Sequence, residues 1–266
     1  MNHFSLLPLI AFSLPVFAGS RVEYLALGDS VAFGYDPLVQ VPIESNYTGY
    51  PEIVAQKAPQ YDKLMSLACP GETSGSFLSA TAPDNGCRGF KSAFGLHTNY
   101  TGTQADFAVA TLANEPQIKL VTISIGGNDL LLLQAGCNND PACILQKLPQ
   151  VLATYGQNLT RILTRLRLEA RYRGRIALVT YYSPNYRDPV QTTGIAALDL
   201  VLLQIGALFN ATVADGYGSF ALASLPFRGD TCAAGLLVRI SPTACDVHPS
   251  PKGRDLLADV VLRQVR

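Results

Sequence analysis

Residues 21–30, Arg-Val-Glu-Tyr-Leu-Ala-Leu-Gly-Asp-Ser, are the stretch that decides the fold. The largely apolar run 22–27 stops abruptly at Gly28, Asp29 and Ser30. A short apolar run that ends in turn residues predicts a strand buried inside a parallel sheet. Because α/β proteins collect their functional groups beyond the carboxyl ends of such strands, Ser30 is a candidate nucleophile. The alternative is a glycine turn that is followed by a capping serine.

Further strands and helices are predicted to alternate along the chain. Strands are expected at residues 61–68, 118–125 and 175–181, with a weaker one at 218–222. Helices are expected at residues 51–57, 104–114, 141–173, 195–213 and 251–265. Such alternation predicts a parallel sheet with helices on both faces, a three-layer α/β/α domain.

The sequence also predicts the local structure of several other segments. Residues 69–75 are expected to form a turn and the start of a helix, and glycines predict a loop at 83–103. The helix at 195–213 is nearly all apolar, so it is expected to be well buried. A loop bounded by cysteines is expected to lead to the final helix.

The composition is that of a globular protein without a strong charge. The 266 residues are 48% hydrophobic and 15% charged, and 20 Lys and Arg balance 20 Asp and Glu. Zero net charge gives no steering toward nucleic acid or anionic lipid, so no nucleic-acid partner is expected. We expect a monomer without integral membrane association.

The N-terminal residues 1–18 resemble a secretory signal peptide. The run 4–17 is almost entirely apolar, and Val16-Phe17-Ala18 has the small-x-small form of a cleavage site. A membrane anchor is the alternative, but the run is shorter than the roughly 20 residues of a span. We therefore expect a secreted, extracellular protein whose single mature domain is 19–266.

Cysteines and sequons fit that location. Six cysteines in an exported chain predict disulfides, whereas buried free thiols are the alternative. Although 15 pairings are possible, short local loops favour three of them: Cys69–Cys87, Cys137–Cys143 and Cys232–Cys245. Their spacing does not match a zinc site, so no metal is expected. Four Asn-x-Ser/Thr sequons mark candidate glycosylation sites: Asn46, Asn99, Asn158 and Asn210.

Candidate site residues lie in small-residue turns after three of the strands. They are Ser30, Gly71 and Asn128, and parallel strands would open at one sheet edge and bring them together. A serine nucleophile needs an adjacent base. His248, just before the last helix, is a better candidate than His97 in the glycine-rich loop, because a helix entry fixes its position.

Acyl transfer also needs donors directed at the developing oxyanion. The backbone N–H groups of Ser30 and Gly71 and the side-chain amide of Asn128 are the candidates. Glycine at position 71 lets the backbone approach a substrate closely. Ordinary turn chemistry is the alternative explanation for Gly71 and Asn128.

These motifs resemble the four sequence blocks of the SGNH, or GDSL-type, hydrolase family. In order, the blocks are Gly28-Asp29-Ser30, Gly71, Gly126-Gly127-Asn128-Asp129 and Asp246-Val247-His248-Pro249. The resemblance implies a flavodoxin-like fold with five parallel strands. It also implies hydrolysis of carboxylic esters through an acyl-serine intermediate, without metal or cofactor. The six cysteines are similar to those of the secreted esterase and lipase branch, which has three disulfides.

The sequence departs from the family pattern at the acid. The family usually has Asp three residues before the histidine, where this chain has Cys245, while Asp246 lies two residues before His248. Either Asp246 orients the imidazole or a main-chain carbonyl does; we favour Asp246, because a carboxylate fixes the tautomer and stabilises the imidazolium. Val31 also replaces a frequent leucine, a conservative change.

The sequence leaves the substrate open. Tyrosines near the predicted site could contact a lipid chain or a sugar, so a small-molecule or lipid ester is the expected substrate. The tyrosines are Tyr35, Tyr47, Tyr50, Tyr181, Tyr182 and Tyr186. A lipase or phospholipase therefore competes with an acetyl-sugar or plant-polymer esterase. A non-catalytic binding protein on the same fold is the third hypothesis.

Overall fold

The computed structural model describes residues 22–265, so the predicted signal peptide lies outside the described residues. The main sheet contains β1 (Tyr24–Gly28), β2 (Leu64–Ser66), β3 (Leu120–Ser124), β4 (Arg175–Val179) and β5 (Thr212–Ala214). A separate hairpin contains β6 (Leu237–Ser241) and β7 (Ala244–Pro249). The helices are α1 (Ser30–Phe33), α2 (Tyr50–Lys57), α3 (Cys87–Phe94), α4 (Gln104–Asn114), α5 (Gly127–Gly136), α6 (Pro141–Thr164), α7 (Pro189–Leu208), α8 (Gly216–Ser224) and α9 (Pro251–Val265).

The sheet order is β2-β1-β3-β4-β5, and every neighbouring pair is parallel. This is the flavodoxin-like order, so the predicted fold class is confirmed. The chain leaves β1 toward β2 on one side and returns to β3 on the other. The order therefore reverses at β1, and a crevice opens beyond the carboxyl ends of β1 and β3.

The helices form two groups that cover the sheet. In one group α2 and α8 pack against α9, which also contacts β4 and β5. In the other group α5 and α7 pack against α6. All five residues of β1 are buried. This explains why apolar and polar residues do not alternate in the strand that leads to Ser30.

The predicted fifth strand is wrong. Residues 218–222 lie in α8, and β5 is the shorter segment that precedes it. The Asp215 side chain caps α8 by accepting the N–H of Gly218 at 2.8 Å. The helix predicted at 195–213 begins earlier and ends at Leu208, which leaves room for β5. The predicted helix absorbed most of β5, because the strand follows α7 after only three residues.

The predictions for residues 69–75 and 83–103 also need correction. No helix starts within residues 69–75, which form turns, whereas α3 lies inside the expected loop. The Asp84 carboxylate accepts the backbone N–H of Gly86, just before that helix, at 2.9 Å and the N–H of Arg88, in its first turn, at 3.3 Å. The disulfide at Cys87 fixes its first residue. The hydrogen bonds of Asp84 and the disulfide thus support a helix where the glycines predicted a loop.

The expected cysteine-bounded loop contains an antiparallel hairpin, β6 and β7, with shifts in register. The disulfide Cys232–Cys245 ties β7 to the segment before β6. The structure also contains the two other expected pairs, Cys69–Cys87 and Cys137–Cys143. Each disulfide therefore closes a short loop outside the main sheet.

Helix α7 is less buried than predicted. Its inner face packs against α6 and β5, but Leu200 is 54% exposed and Leu208 is 77% exposed. Among the described helices, α7 alone is long and apolar enough to cross a membrane by length and composition. Because its inner face is part of the domain, the apolar sequence indicates a surface helix with an apolar outer face.

Gly28 allows β1 and β3 to approach each other, and we predict that Gly28→Ala is strongly destabilising. Gly28 has φ +134°, and an added Cβ would lie 2.1 Å from the Ser124 carbonyl oxygen. Gly86 is the matched control, because it has φ +110° but no atom within 4 Å of an added Cβ. In urea unfolding, Gly86→Ala should lose only about 1 kcal/mol from strain, and Gly28→Ala at least about 3 kcal/mol. Equal losses would contradict this explanation.

Candidate active site

Ser30, Asn128 and His248 line one cavity of about 310 Å³. Ser30 is the first residue of α1 directly after β1, and Asn128 lies in the first turn of α5 after β3. His248 comes from β7, at the other end of the sequence. The cavity therefore lies where the doubly wound sheet places its crevice, beyond the carboxyl ends of β1 and β3.

Gly71 is not among the residues that line the cavity, but its loop contacts the lining residues. The carbonyl oxygen of Glu72 accepts the Asn128 Nδ2 amide at 3.0 Å. Gly71 has φ +86°, and an added Cβ would lie 2.4 Å from the Asn85 carbonyl oxygen. The loop therefore requires glycine at this position, and it is held beside the amide of Asn128.

Asp29 is a buried acceptor directly behind Ser30. Its Oδ1 accepts the Val31 N–H at 3.0 Å, which caps α1, while its Oδ2 accepts the Tyr181 hydroxyl and the Asn128 amide, the latter at 3.3 Å. Burial raises the pKa of Asp29 to about 6, although the hydrogen bond from Tyr181 opposes this rise. Three donors directed at one carboxyl group favour its ionised form.

Asp246 reaches the imidazole of His248 despite the unusual spacing. Its Oδ1 accepts the ring Nδ1–H and also the backbone N–H of His248, the latter at 3.0 Å. Both residues lie in β7, where residues two apart point to the same side of the strand. Burial alone would raise the pKa of Asp246, but the hydrogen bond and charge of His248 hold that pKa below its ordinary value.

Side chains from two segments hold the strand that carries His248. The Tyr182 hydroxyl, after β4, donates to the Val247 carbonyl at 2.7 Å. Arg254 of α9 donates from Nε to the Pro249 carbonyl at 3.0 Å. Arg254 Nη2 also pairs with Asp36 Oδ2 at 3.1 Å, and this pair is largely buried. The guanidinium therefore connects β7 to the loop after α1, the helix that begins with Ser30.

His97 lies in a different environment. Its Nε2 is 3.0 Å from the Phe33 carbonyl oxygen, and its ring packs 4.5 Å from the Phe33 ring. His97 is not among the residues that line the cavity. The structure thus brings His248, and not His97, to the cavity that Ser30 lines.

Asn85 and Gln104 support the site, and sequence analysis missed both. Asn85 donates its backbone N–H to the Gly71 carbonyl and its Nδ2 to Asn128 Oδ1, each at 2.8 Å. Gln104, which is fully buried, accepts the Gly28 N–H at 2.6 Å and donates to the Gly28 carbonyl at 3.0 Å. Both residues act on partners far away in sequence, so no local pattern marks them.

Glu72 is the other buried carboxyl group beside the site. It accepts hydrogen bonds from Ser76 and Gln104, and burial raises its pKa to about 7. Among the described residues, Cys69, Glu72 and Cys87 lie close enough to share a metal ion. The two sulfurs are bonded to each other, however, and a disulfide sulfur is not a thiolate ligand. This cluster is therefore not suited to metal binding.

The rest of the cavity wall is mainly apolar. It is built from α5, the first turns of α6 and the first turns of α7, together with the tyrosines after β4. Its aliphatic side chains are Val31, Leu130, Leu131, Leu133, Ile144, Leu148, Val190, Ile195 and Val247. Such a wall suits a hydrocarbon group better than a strongly polar one.

The comparisons with known proteins identify the family of this chain. Residues 26–256 match the model of the GDSL-like lipase/acylhydrolase family. The chain therefore belongs to this family of ester-bond hydrolases, and the predicted resemblance is confirmed. A search of curated proteins found no match.

Several solved structures share the fold at low sequence identity. An extracellular lipase from Streptomyces rimosus has a TM-score of 0.61 and 18% identity, with 91% of this chain and 99% of that chain covered. A phospholipase A1 from Streptomyces albidoflavus NA297 has a TM-score of 0.60 and 17% identity, with 92% and 100% covered. An acetylxylan esterase from Geobacillus stearothermophilus has a TM-score of 0.53 and 20% identity, with 91% and 93% covered.

We predict that Tyr181→Phe shifts the acid limb of kcat/KM for ester hydrolysis to higher pH. Loss of the hydroxyl removes a donor to Asp29, so the pKa of that carboxyl rises further above about 6. A hydrogen bond to a charged group contributes roughly 1.5–3 kcal/mol, which corresponds to a shift of about one to two pH units. Activity should therefore fall more at about pH 6 than at about pH 8.

Tyr155→Phe is the matched control for this pH profile. The Tyr155 hydroxyl is buried and has no hydrogen-bond partner among the described residues. Its removal should leave the acid limb in place. An unshifted limb in Tyr181→Phe, or an equal shift in both variants, would contradict the role of Tyr181.

Proposed function

We propose that this chain is a secreted serine ester hydrolase that cleaves esters of hydrocarbon acyl chains. Ser30 is the proposed nucleophile, His248 the general base and Asp246 the acid that orients the imidazole. One observation carries the proposal: Ser30, Asn128 and His248 line the same cavity, and Asp246 contacts the far nitrogen of the His248 ring.

In the first half-reaction, His248 Nε2 takes the proton of the Ser30 hydroxyl while Oγ bonds to the ester carbonyl carbon. The carbonyl electron pair moves onto oxygen and forms the oxyanion. When this intermediate collapses, the bond to the alcohol oxygen breaks, and the imidazolium gives its proton to the departing alcohol. Water repeats the sequence on the acyl-serine and releases the carboxylic acid.

The proposed oxyanion donors are the backbone N–H groups of Ser30 and Gly71 and the amide of Asn128. Asn85 holds Asn128 Oδ1, so Nδ2 faces the Glu72 carbonyl and Asp29. The contact between Nδ2 and Asp29 is long at 3.3 Å, so this N–H is the one that we propose is shared with a developing oxyanion. Removal of one oxyanion donor typically lowers the rate by about 10²- to 10³-fold.

The cavity wall supports a hydrocarbon acyl group. Leucines of α5 and the aliphatic residues Ile144, Val190 and Ile195 surround the space next to Ser30. Burial of a methylene group contributes about 0.8 kcal/mol, so each carbon that enters this space would strengthen transition-state binding. An acetyl group would leave most of the wall without contact.

We also propose that the protein is exported from the cell. Three disulfides are typical of proteins that fold in an oxidising compartment, and the apolar segment 4–17 fits a signal peptide. The sequon residues Asn46, Asn99 and Asn210 are exposed and remain candidate glycosylation sites. Asn158 is half-buried and donates to Ser74 Oγ at 3.0 Å, which makes it the least accessible of the four.

Substitution of the proposed catalytic residues tests the assignment. Ser30→Ala should lower kcat for a p-nitrophenyl ester by at least about 10⁴-fold, and Asp246→Asn by roughly 10²- to 10⁴-fold, because the amide favours the wrong imidazole tautomer. Asp62→Asn, an exposed surface change, is the control. If Asp246→Asn stays near full activity while Ser30→Ala is inactive, a main-chain carbonyl orients His248 instead.

A series of p-nitrophenyl esters tests the acyl group. We expect kcat/KM to rise about two- to fourfold per added methylene from acetate until the cavity is filled. Ile195→Phe narrows the cavity, so it should lower kcat/KM for octanoate more than for acetate. A maximum at acetate in the unmodified protein would contradict the hydrocarbon assignment and favour an acetyl-sugar esterase.

A further inference from the structure

The disulfide Cys69–Cys87 closes the loop that carries one of the proposed oxyanion donors, Gly71. Cys69 is fully buried, and its backbone N–H donates to the carbonyl oxygen of Gly28, the last residue of β1, at 3.0 Å. Cys87, 18 residues further along the chain, is the first residue of α3. The disulfide therefore connects the start of α3 to the end of the strand that leads to Ser30.

Helix α3 has few other contacts with the core of the domain. Among its eight residues, Cys87 alone is buried. Phe90 is partly buried, with its ring 5.3 Å from the ring of Phe33, but most other residues of the helix are exposed. Short helices in proteins are held mainly by tertiary packing. The position of the start of α3 thus depends on the disulfide.

The segment just before Cys87 contacts two of the proposed oxyanion donors. Asn85 donates its backbone N–H to the Gly71 carbonyl and its Nδ2 to Asn128 Oδ1, each at 2.8 Å. Gly71 also lies against Cys87 itself, because an added Cβ at Gly71 would be 2.8 Å from the Cys87 backbone nitrogen. The Gly71 N–H and the Asn128 amide are therefore both positioned by a segment that the disulfide holds.

Asn85 needs such support because it is exposed to solvent. Water competes for the groups of an exposed hydrogen bond, so that bond contributes little to order by itself. A covalent cross-link restricts the conformations of the chain that carries the donor. Stabilisation of an oxyanion depends on donors that are in place before the charge develops.

We propose that the Cys69–Cys87 disulfide positions the oxyanion hole by holding Asn85 against Gly71 and Asn128. Its effect on catalysis rests on the proposed function, whereas the ordering of the loop does not. Neither cysteine is among the residues that line the cavity, so both are positioning residues. Because the oxyanion forms only during the reaction, loss of the disulfide should lower kcat and leave KM nearly unchanged.

Removal of the disulfide tests this role. With Cys69→Ala and Cys87→Ala together, kcat for p-nitrophenyl butyrate should fall roughly ten- to a hundredfold, while KM stays within about twofold, because the donors are displaced rather than deleted. The matched control is Cys137→Ala with Cys143→Ala, which removes the disulfide between α5 and α6. Its kcat should stay within about twofold of the parent value. Thermal unfolding verifies that both variants are folded.

Asn85→Ala tests the route by which the disulfide acts, and it leaves all three disulfides in place. This substitution should lower kcat about tenfold in the parent protein, but less than about twofold once the Cys69–Cys87 disulfide is absent, because both changes remove the same support. A disulfide that merely stabilised the fold would give independent losses. Normal kcat in Asn85→Ala would overturn the proposal even if the disulfide-free protein did not fold.

Amide hydrogen exchange, measured by mass spectrometry, tests the ordering of the loop without turnover. Loss of the Cys69–Cys87 disulfide should speed exchange in residues 80–94 at least about tenfold, while β1 and β3 exchange as in the parent. Unchanged exchange in this segment, or an equal fall of kcat in both disulfide variants, would overturn the proposal. If the parent hydrolyses no ester, the proposed function fails, but faster exchange still supports the positioning of the loop and unchanged exchange rejects it.

Discussion

The buried carboxylate of Asp29 connects the parts of the candidate site. It accepts the N–H that starts α1, the amide of Asn128 on α5 and the hydroxyl of Tyr181 after β4. These donors follow β1, β3 and β4, so one acceptor fixes the relative positions of three strand ends. Such a group is costly to bury, as its raised pKa shows, and it is tolerated because its donors surround it.

A second set of contacts positions the residues that come from outside the sheet. Gln104 holds both backbone polar groups of Gly28, and Asn85 holds the loop of Gly71. Arg254 connects the strand of His248 to the loop after α1 through the Pro249 carbonyl and Asp36. The parallel sheet thus places Ser30 and Asn128, while side-chain hydrogen bonds place Gly71 and His248.

Much of the sheet was predictable because its signals are local. Buried parallel strands such as β1 and β3 are apolar runs that stop at small residues, and the prediction located both within two residues. Strand β5 was missed because it follows α7 after only three residues and was merged with the predicted helix. Helix α8 was mistaken for a strand because its cap, Asp215, was not recognised. The hairpin was missed because register shifts and a disulfide, rather than alternation, define it.

The site was predictable only in part, because some of its contacts join residues that are distant in the sequence. Ser30 and Asn128 follow the ends of predicted strands, which is where parallel sheets place functional groups. Tyr181, which follows β4, could be found by the same rule. The contact between Asp246 and His248 depends on a strand where a loop was expected. Gln104 and Asn85 bind partners dozens of residues away, so only the folded structure reveals them. The apolar sequence of α7 was correctly recognised, but its burial was not, because composition does not show which side of a helix faces water.

The proposed site requires that Ser30 is activated by the groups that share its cavity, rather than merely placed in a turn. Reaction with a fluorophosphonate, followed by intact mass spectrometry and peptide mapping, measures this most directly. We expect one adduct per chain, on Ser30, that disappears when the protein is unfolded before labelling. Absence of an adduct, or an adduct on another serine while Ser30 stays free, would contradict it.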